Sequence, residues 1–174
     1  KSTCDIFGYL TCHIVTLYTV DSGVLVGVLL LYLFVIALNK REDLIIGGVS
    51  SFGVEWFGEK VLPVIPDGLP VLTVTKGLMD TPDGRLLTYP EVWEAMLAKK
   101  GLSRCLCAIG GPCTSYELVA HDQTEVAFCG NDMEILRQLK AIMATDYYHI
   151  SLSKDVVGIE SAVALKNGYA LGIA

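Results

Sequence analysis

The sequence predicts an α/β chain, a partial parallel sheet with helices on its faces, followed by the first helix of a truncated all-helical domain. Three observations carry that expectation. From Leu44 onward, short β-rich runs alternate with amphipathic segments. Glycines follow two of those runs, in Thr75-Lys76-Gly77 and Gly110-Gly111, at the carboxyl ends where open parallel sheets bind their ligands. The last stretch, Val156 to Ala174, is an apolar helix rich in small residues that should be buried, although the chain supplies little to bury it against.

Leu44-Ile45-Ile46 reads as a strand, Val54 to Leu62 as a helix stopped near Pro63, and Val71 to Val74 as the next strand. The alternation then breaks. Asp80-Thr81-Pro82-Asp83-Gly84 is turn chemistry, with proline fixing one dihedral and glycine accepting a left-handed one, and Arg85 to Thr88 forms the return arm of a hairpin. Glu91 to Lys100 reads as a helix, Cys105 to Ile109 as a strand, the residues after Pro112 as a short helix, and Glu125 to Cys129 as another strand. Asp132 is placed to cap a helix running to about Ala144, with Met133, Leu136, Leu139 and Met143 on one face. Tyr148 to Ser153 is the last strand, and Asp155 opens the final helix. The domain boundaries expected are therefore 1–42 as an ill-matched amino-terminal part, 43–153 as the sheet domain, and 154–174 as the start of the helical domain.

The 174 residues, 52% of them apolar, suffice for a sizeable core. A net charge of −6 and a pI near 5.0 exclude a nucleic-acid partner, which needs a basic face, but leave room for a small anion held by one or two lysines. Six cysteines, at 4, 12, 105, 107, 113 and 129, stand in a chain too long and too apolar to need staples. They read as reduced thiols, which implies a cytoplasmic protein. No zinc knuckle is spelled, so no metal is expected. No leader pattern follows Lys1. Gly23 to Leu38 is uncharged and flanked by Asn39-Lys40-Arg41, yet shorter than the about 20 residues that span a bilayer, so it reads as core, with a membrane anchor as the alternative.

Three stretches could carry chemistry. Lys76 stands at a strand end, where a lysine faces a ligand crevice or is simply solvated. Gly110-Gly111-Pro112-Cys113-Thr114-Ser115 joins a strand to a helix, so that backbone and free amides can approach an anion; the same residues also make an ordinary tight turn. Lys166-Asn167 lies in the apolar final helix, where the lysine either snorkels to water or sits partly buried and suited to proton transfer. His13, His121 and His149 are scattered.

In order and context these stretches resemble the NAD(P)-dependent glycerol-3-phosphate dehydrogenases. Val74-Thr75-Lys76-Gly77 matches the family's strand and T-K-G segment, and Gly111-Pro112 with Glu117-Leu118 its G-P turn and helix start. Asp155-Val156-Val157-Gly158-Ile159-Glu160 and Ala164-Leu165-Lys166-Asn167 match its D-V-x-G-x-E helix and A-L-K-N. Cys12 to Tyr18 looks like its second strand. The resemblance implies a Rossmann-type domain that uses NAD or NADP in the reversible reduction of dihydroxyacetone phosphate to glycerol 3-phosphate. It implies Lys166 and Lys76 as catalytic residues. Gly111, Cys113 and Asn167, with Lys76, would hold substrate; Ser115 and Lys76 would meet the cofactor, and Asp21 a ribose hydroxyl. A homodimer is the expected assembly.

The chain also departs from the family. The glycine-rich loop that cradles pyrophosphate would precede Lys1, Ser50 stands where proline is usual, and residues 19–42 do not match. The chain is accordingly expected to be an incomplete and inactive portion of the enzyme. The rival readings are a dehydrogenase of another small hydroxy acid and a membrane-anchored, non-catalytic nucleotide-binding protein.

Overall fold

The computed structural model describes Val15–Thr16 and residues 44–173. Asp21, the apolar run Gly23 to Leu38, and Cys4 and Cys12 lie outside the described residues. The strands are β1 (Val15–Thr16), β2 (Ile45–Gly47), β3 (Pro70–Thr73), β4 (Leu78–Asp80), β5 (Leu86–Thr88), β6 (Cys105–Gly110), β7 (Thr124–Gly130) and β8 (Tyr148–Ser153). Six of them form one sheet in the order β1-β2-β3-β6-β7-β8, and β4 pairs with β5 as a separate antiparallel hairpin. The helices are α1 (Val54–Trp56), continued by further turns to Val64, then α2 (Tyr89–Ala98), α3 (Ser115–Ala120), α4 (Met133–Met143) and α5 (Val156–Ile173).

Strand periodicity sorts the core onto the two faces of the sheet. Ile45, Val71 and Leu106 pack under Val54, Phe57, Val61, Trp93 and Leu97 of α1, its continuation and α2. Their sequence neighbours Leu44, Leu72 and Cys107 pack with Phe128 and Ile150 against Leu136 and Leu139 of α4. With both faces covered, all four residues of β3 are buried, as a central parallel strand requires. Pro70 is tolerated because it is the first residue of that strand.

The sheet is not wholly parallel, which corrects the sequence expectation in one place. β1, β2, β3 and β6 run parallel, but β7 is antiparallel to β6, and β8 follows β7 in the same direction. A parallel return needs a crossover element lying on the sheet. The only helix between β6 and β7 is α3, six residues long and without a buried residue, so the chain turns back at the same edge.

The helix expected over Val54 to Leu62 occupies that span but is irregular. Phe57–Val61 forms a π turn and Leu62–Val64 a 3₁₀ turn. The Trp93 indole N–H donates to the Val54 carbonyl at 2.8 Å, competing for an acceptor of the first turn. Gly58 faces the same ring, where a Cβ would come within 2.8 Å of Trp93 and 2.6 Å of the Met96 sulfur.

Caps fix the other helices. Glu91 closes a capping box with Thr88, whose backbone N–H donates to Oε2 at 2.8 Å, and Asp132 Oδ1 accepts from the amides of Glu134 and Ile135. Asp155 Oδ1 accepts from the Gly158 amide at 2.8 Å at the start of α5. The last helix is not buried as its composition implies. Glu160 alone is buried in it, and Leu165, Tyr169, Leu171 and Ile173 are exposed. Its first half meets the end of β6, where Gly110 packs against Ile159 and Val163, and the helix also contacts β7 and the hairpin. Among the described residues, no helix is long and apolar enough to cross a membrane.

Candidate functional site

β3 and β6 are adjacent and parallel, so their carboxyl ends open at the same edge of the sheet. Thr75 is tied into place there: its hydroxyl donates to the Val49 carbonyl at 2.6 Å, and its amide donates to Thr73 Oγ1 at 3.2 Å. Held by this anchor, Lys76 projects outward and its ammonium donates to the Gly111 carbonyl at 3.1 Å, joining the two strand-end loops. Gly77 has φ +145, and a Cβ there would run into the Tyr89 hydroxyl. Burial raises the pKa of the Tyr89 hydroxyl, with Ser51 acting against the rise. The loop therefore requires glycine after the lysine.

Gly111 has φ +135, and a Cβ on it would lie 3.0 Å from the Val126 Cα and 3.1 Å from the Glu125 carbonyl. The turn thus lies against β7, with its carbonyl presented to Lys76. Beyond it, Thr114 and Glu117 form a capping box: the Thr114 hydroxyl and amide donate to Glu117 Oε2 at 2.7 and 2.9 Å. Ser115 is the first residue of α3 and is exposed. The Cys113 thiol is raised in pKa by burial, with the charge of Lys76 working against the rise. Lys76, Gly111 and Cys113 are therefore one cluster.

α5 starts at the opposite edge of the sheet and runs back along it, passing Gly110 at Ile159 and Val163, so Lys166 arrives near α3. The Glu117 carboxyl lies below its usual range, mainly through the Thr114 hydrogen bonds and in smaller part through the charge of Lys166. Among the described residues, Lys166 and Asn167 are exposed.

The sequence reading passed over Glu160. It is 1% exposed, and neither carboxylate oxygen has a hydrogen-bond partner. Burial pushes its pKa up to about 7, and Lys76 pulls the other way. The available signal was a lone acid in an apolar helix. Cys105 and Cys107 are free thiols, and among the described residues no group of three or more His, Cys, Asp or Glu could hold a metal ion. A cavity of about 910 Å³ lies at the far edge, between Arg104, Cys105, Asn131 and Lys154. It lies at the start of β6, at the opposite end of that strand from the glycine turn and Lys76, so the strand-end cluster is the better candidate site.

A mostly parallel sheet with a lysine and a glycine turn facing each other across adjacent strand ends defines a Rossmann-type α/β protein. Solved structures agree on the fold. Glycerol-3-phosphate dehydrogenase from Coxiella burnetii superposes with a TM-score of 0.65 at 21% identity, covering 76% of this chain and 38% of that one. The enzyme from Saccharomyces cerevisiae does so with 0.66 at 20% identity, covering 79% and 40%. By sequence, the NADP(+)-dependent glycerol-3-phosphate dehydrogenase of Archaeoglobus fulgidus is 34% identical over 136 residues, 78% of this chain and 39% of that protein. Glycerol-3-phosphate dehydrogenase [NAD(P)+] of Syntrophobacter fumaroxidans is 29% identical over 132 residues, 76% and 38%. No protein-family model matches. Over the part that it spans, the chain is similar in sequence to NAD(P)-dependent glycerol-3-phosphate dehydrogenases, and it shares their fold. It spans about two fifths of the length of these relatives.

Proposed function

We propose that this chain is the portion of a cytoplasmic, homodimeric glycerol-3-phosphate dehydrogenase that carries part of the NAD(P) site and the first helix of the substrate domain. The reaction is the reversible reduction of dihydroxyacetone phosphate to sn-glycerol 3-phosphate. The observation that supports it most is the bond from Lys76 to Gly111, which sets a cation beside a turn without side chains at the ligand-binding edge of the sheet. That edge suits an anionic dinucleotide, because Lys76 is exposed there and Gly111 adds no side chain to the crevice.

Within this reading the nicotinamide supplies or takes the hydride. Lys76 contacts substrate and cofactor, its charge favouring the developing oxyanion and the phosphate. Lys166 Nζ gives the proton that turns the substrate's C2 alkoxide into the alcohol, and takes it back in the reverse direction. Gly111, Cys113 and Asn167 line the substrate, and Ser115 meets the cofactor through its backbone. Asp21, outside the described residues, is the candidate for the ribose hydroxyl. The chain alone is proposed to bind without turning over.

Calorimetric titration with NADH and NADPH, with and without glycerol 3-phosphate, tests this. Saturable binding is expected, weakened about tenfold or more in Lys76→Ala, the worth of one charge-assisted hydrogen bond of about 1.5–3 kcal/mol. A folded sample that binds neither nucleotide would overturn the reading.

A further inference from the structure

Lys76 is exposed, and a free lysine side chain samples many rotamers, so its bond to the Gly111 carbonyl at 3.1 Å calls for a fixed backbone beneath it. Both chain neighbours supply one. On the carboxyl side, Gly77 lies against the ring of buried Tyr89. On the amino side, Thr75 is 8% exposed between two outward-facing residues, Val74 and Lys76.

The Thr75 hydroxyl reaches inward and donates to the Val49 carbonyl at 2.6 Å, a buried bond between residues 26 apart in the chain. Its amide donates to Thr73 Oγ1 at 3.2 Å, and one residue earlier the Val74 amide donates to the Gly47 carbonyl at 3.1 Å. The loops after β2 and β3 are thereby laced together beyond the last paired positions of the strands, Gly47 and Thr73. Val49 is a core residue in the same cluster as Phe57, Trp93 and Tyr89. Lys76 thus stands on a short span whose two ends rest on one core, on Val49 through the Thr75 hydroxyl and on Tyr89 through Gly77.

We propose that Thr75 is a positioning residue for Lys76: its hydroxyl, fixed on the Val49 carbonyl, holds the lysine loop where the ammonium reaches the Gly111 turn. It touches neither substrate nor cofactor and acts through Lys76. The proposal takes its catalytic meaning from the dehydrogenase reading, while the brace itself stands without any bound nucleotide. Loss of the hydroxyl leaves a buried carbonyl at Val49 without its partner, and the loop relieves that cost by moving away and taking Lys76 with it.

The scalar coupling carried through the hydrogen bond from Lys76 Nζ to the Gly111 carbonyl carbon, measured by NMR on the whole chain, reads the position of the ammonium. It is expected in wild type, kept in Thr75→Ser, and lost in Thr75→Val, which has nearly the same shape and no hydroxyl. A folded Thr75→Val chain that keeps the coupling overturns the proposal, and so does a wild type without it. A residue that merely filled space would be replaced by valine without change, and serine would not restore what valine lost. Should Thr75→Val fail to fold, Thr75→Ala, which leaves room for a water at the Val49 carbonyl, is measured instead. The same loss is expected there, and an unchanged coupling again decides against the brace.

Titration with NADH carries the functional half. Thr75→Val should weaken binding about fivefold, within the worth of one hydrogen bond, and should add nothing in a Lys76→Ala background, because residues that act through one ammonium are not additive. Equal weakening in the two backgrounds would mean that Thr75 acts by another route, and would overturn the proposal. A wild type that shows the coupling but binds no NADH keeps the brace and removes the dehydrogenase reading; NADH binding with an unmoved coupling in Thr75→Val removes the brace alone.

Discussion

At the scale of single residues, buried Glu160 ties the stability of the chain to pH. Its pKa is raised from 4.5 to about 7 by burial, so the folded chain binds more protons than the unfolded one between those values. The contribution is fully present below about 4.5 and is lost as pH rises through about 7, a change of up to about 3 kcal/mol. Asp83 and Glu117 have lowered pKa values and act with the opposite sign, losing stability as pH falls; both sit at exposed, screened positions. Subtraction therefore isolates Glu160. Urea unfolding of the wild-type chain should weaken from pH 4.5 to 7 relative to Glu160→Gln, whose own curve lacks that component. Parallel curves for the two proteins across this window would show that burial does not raise the Glu160 pKa.

At the scale of elements, α5 is docked by the absence of a side chain. A Cβ at Gly110 would overlap Ile159 and lie 2.9 Å from the Val163 methyl, so Gly110→Ala must push the helix away from the end of β6. Overpacking of this kind costs about 1–3 kcal/mol. The expected result is a lower urea midpoint and earlier proteolytic cleavage within Val156–Ile173 than within α4; equal cleavage in Gly110→Ala and wild type would show that α5 tolerates the displacement. Local patterning made most such elements legible beforehand. Leu44 and Ile45, or Leu106 and Cys107, point to opposite faces because strand periodicity is two, and Asp132 caps α4 as its side chain dictates. The reversal of β7 was not legible, since periodicity carries no direction and the reversal depends on α3 leaving the sheet uncovered. Nor was the π turn after α1, which depends on Trp93, 39 residues away. In the site, Lys76 and Gly111 announced themselves by standing at strand ends, whereas the burial of Glu160 follows from how α5 rotates against Gly110.

At the scale of the whole molecule, the chain combines a two-sided core with one helix that has a single dressed end. The sheet domain buries its apolar residues on both faces, but along α5 exposure climbs from Leu165 at 46% through Tyr169 at 68% to Leu171 at 81% and Ile173 at 87%. Lys166 and Asn167 lie in that open part, so among the described residues the proposed proton donor has no enclosing wall. Proton transfer in water competes with solvent, which is the physical reason for expecting nucleotide binding without turnover. Contiguous apolar surface of this kind also drives association. Sedimentation of the chain should show a mass that increases with concentration, and a double variant, Leu171→Glu with Ile173→Glu, should shift it toward the monomer while leaving the titration with NADH unchanged, since neither residue belongs to the Lys76 cluster. Identical sedimentation of the two proteins would mean that α5 is not the sticky surface. A loss of NADH binding in the double variant would mean that the far end of the helix reaches the nucleotide site, which the distance along α5 from Ile159 to Leu171 argues against: about 18 Å at 1.5 Å per residue.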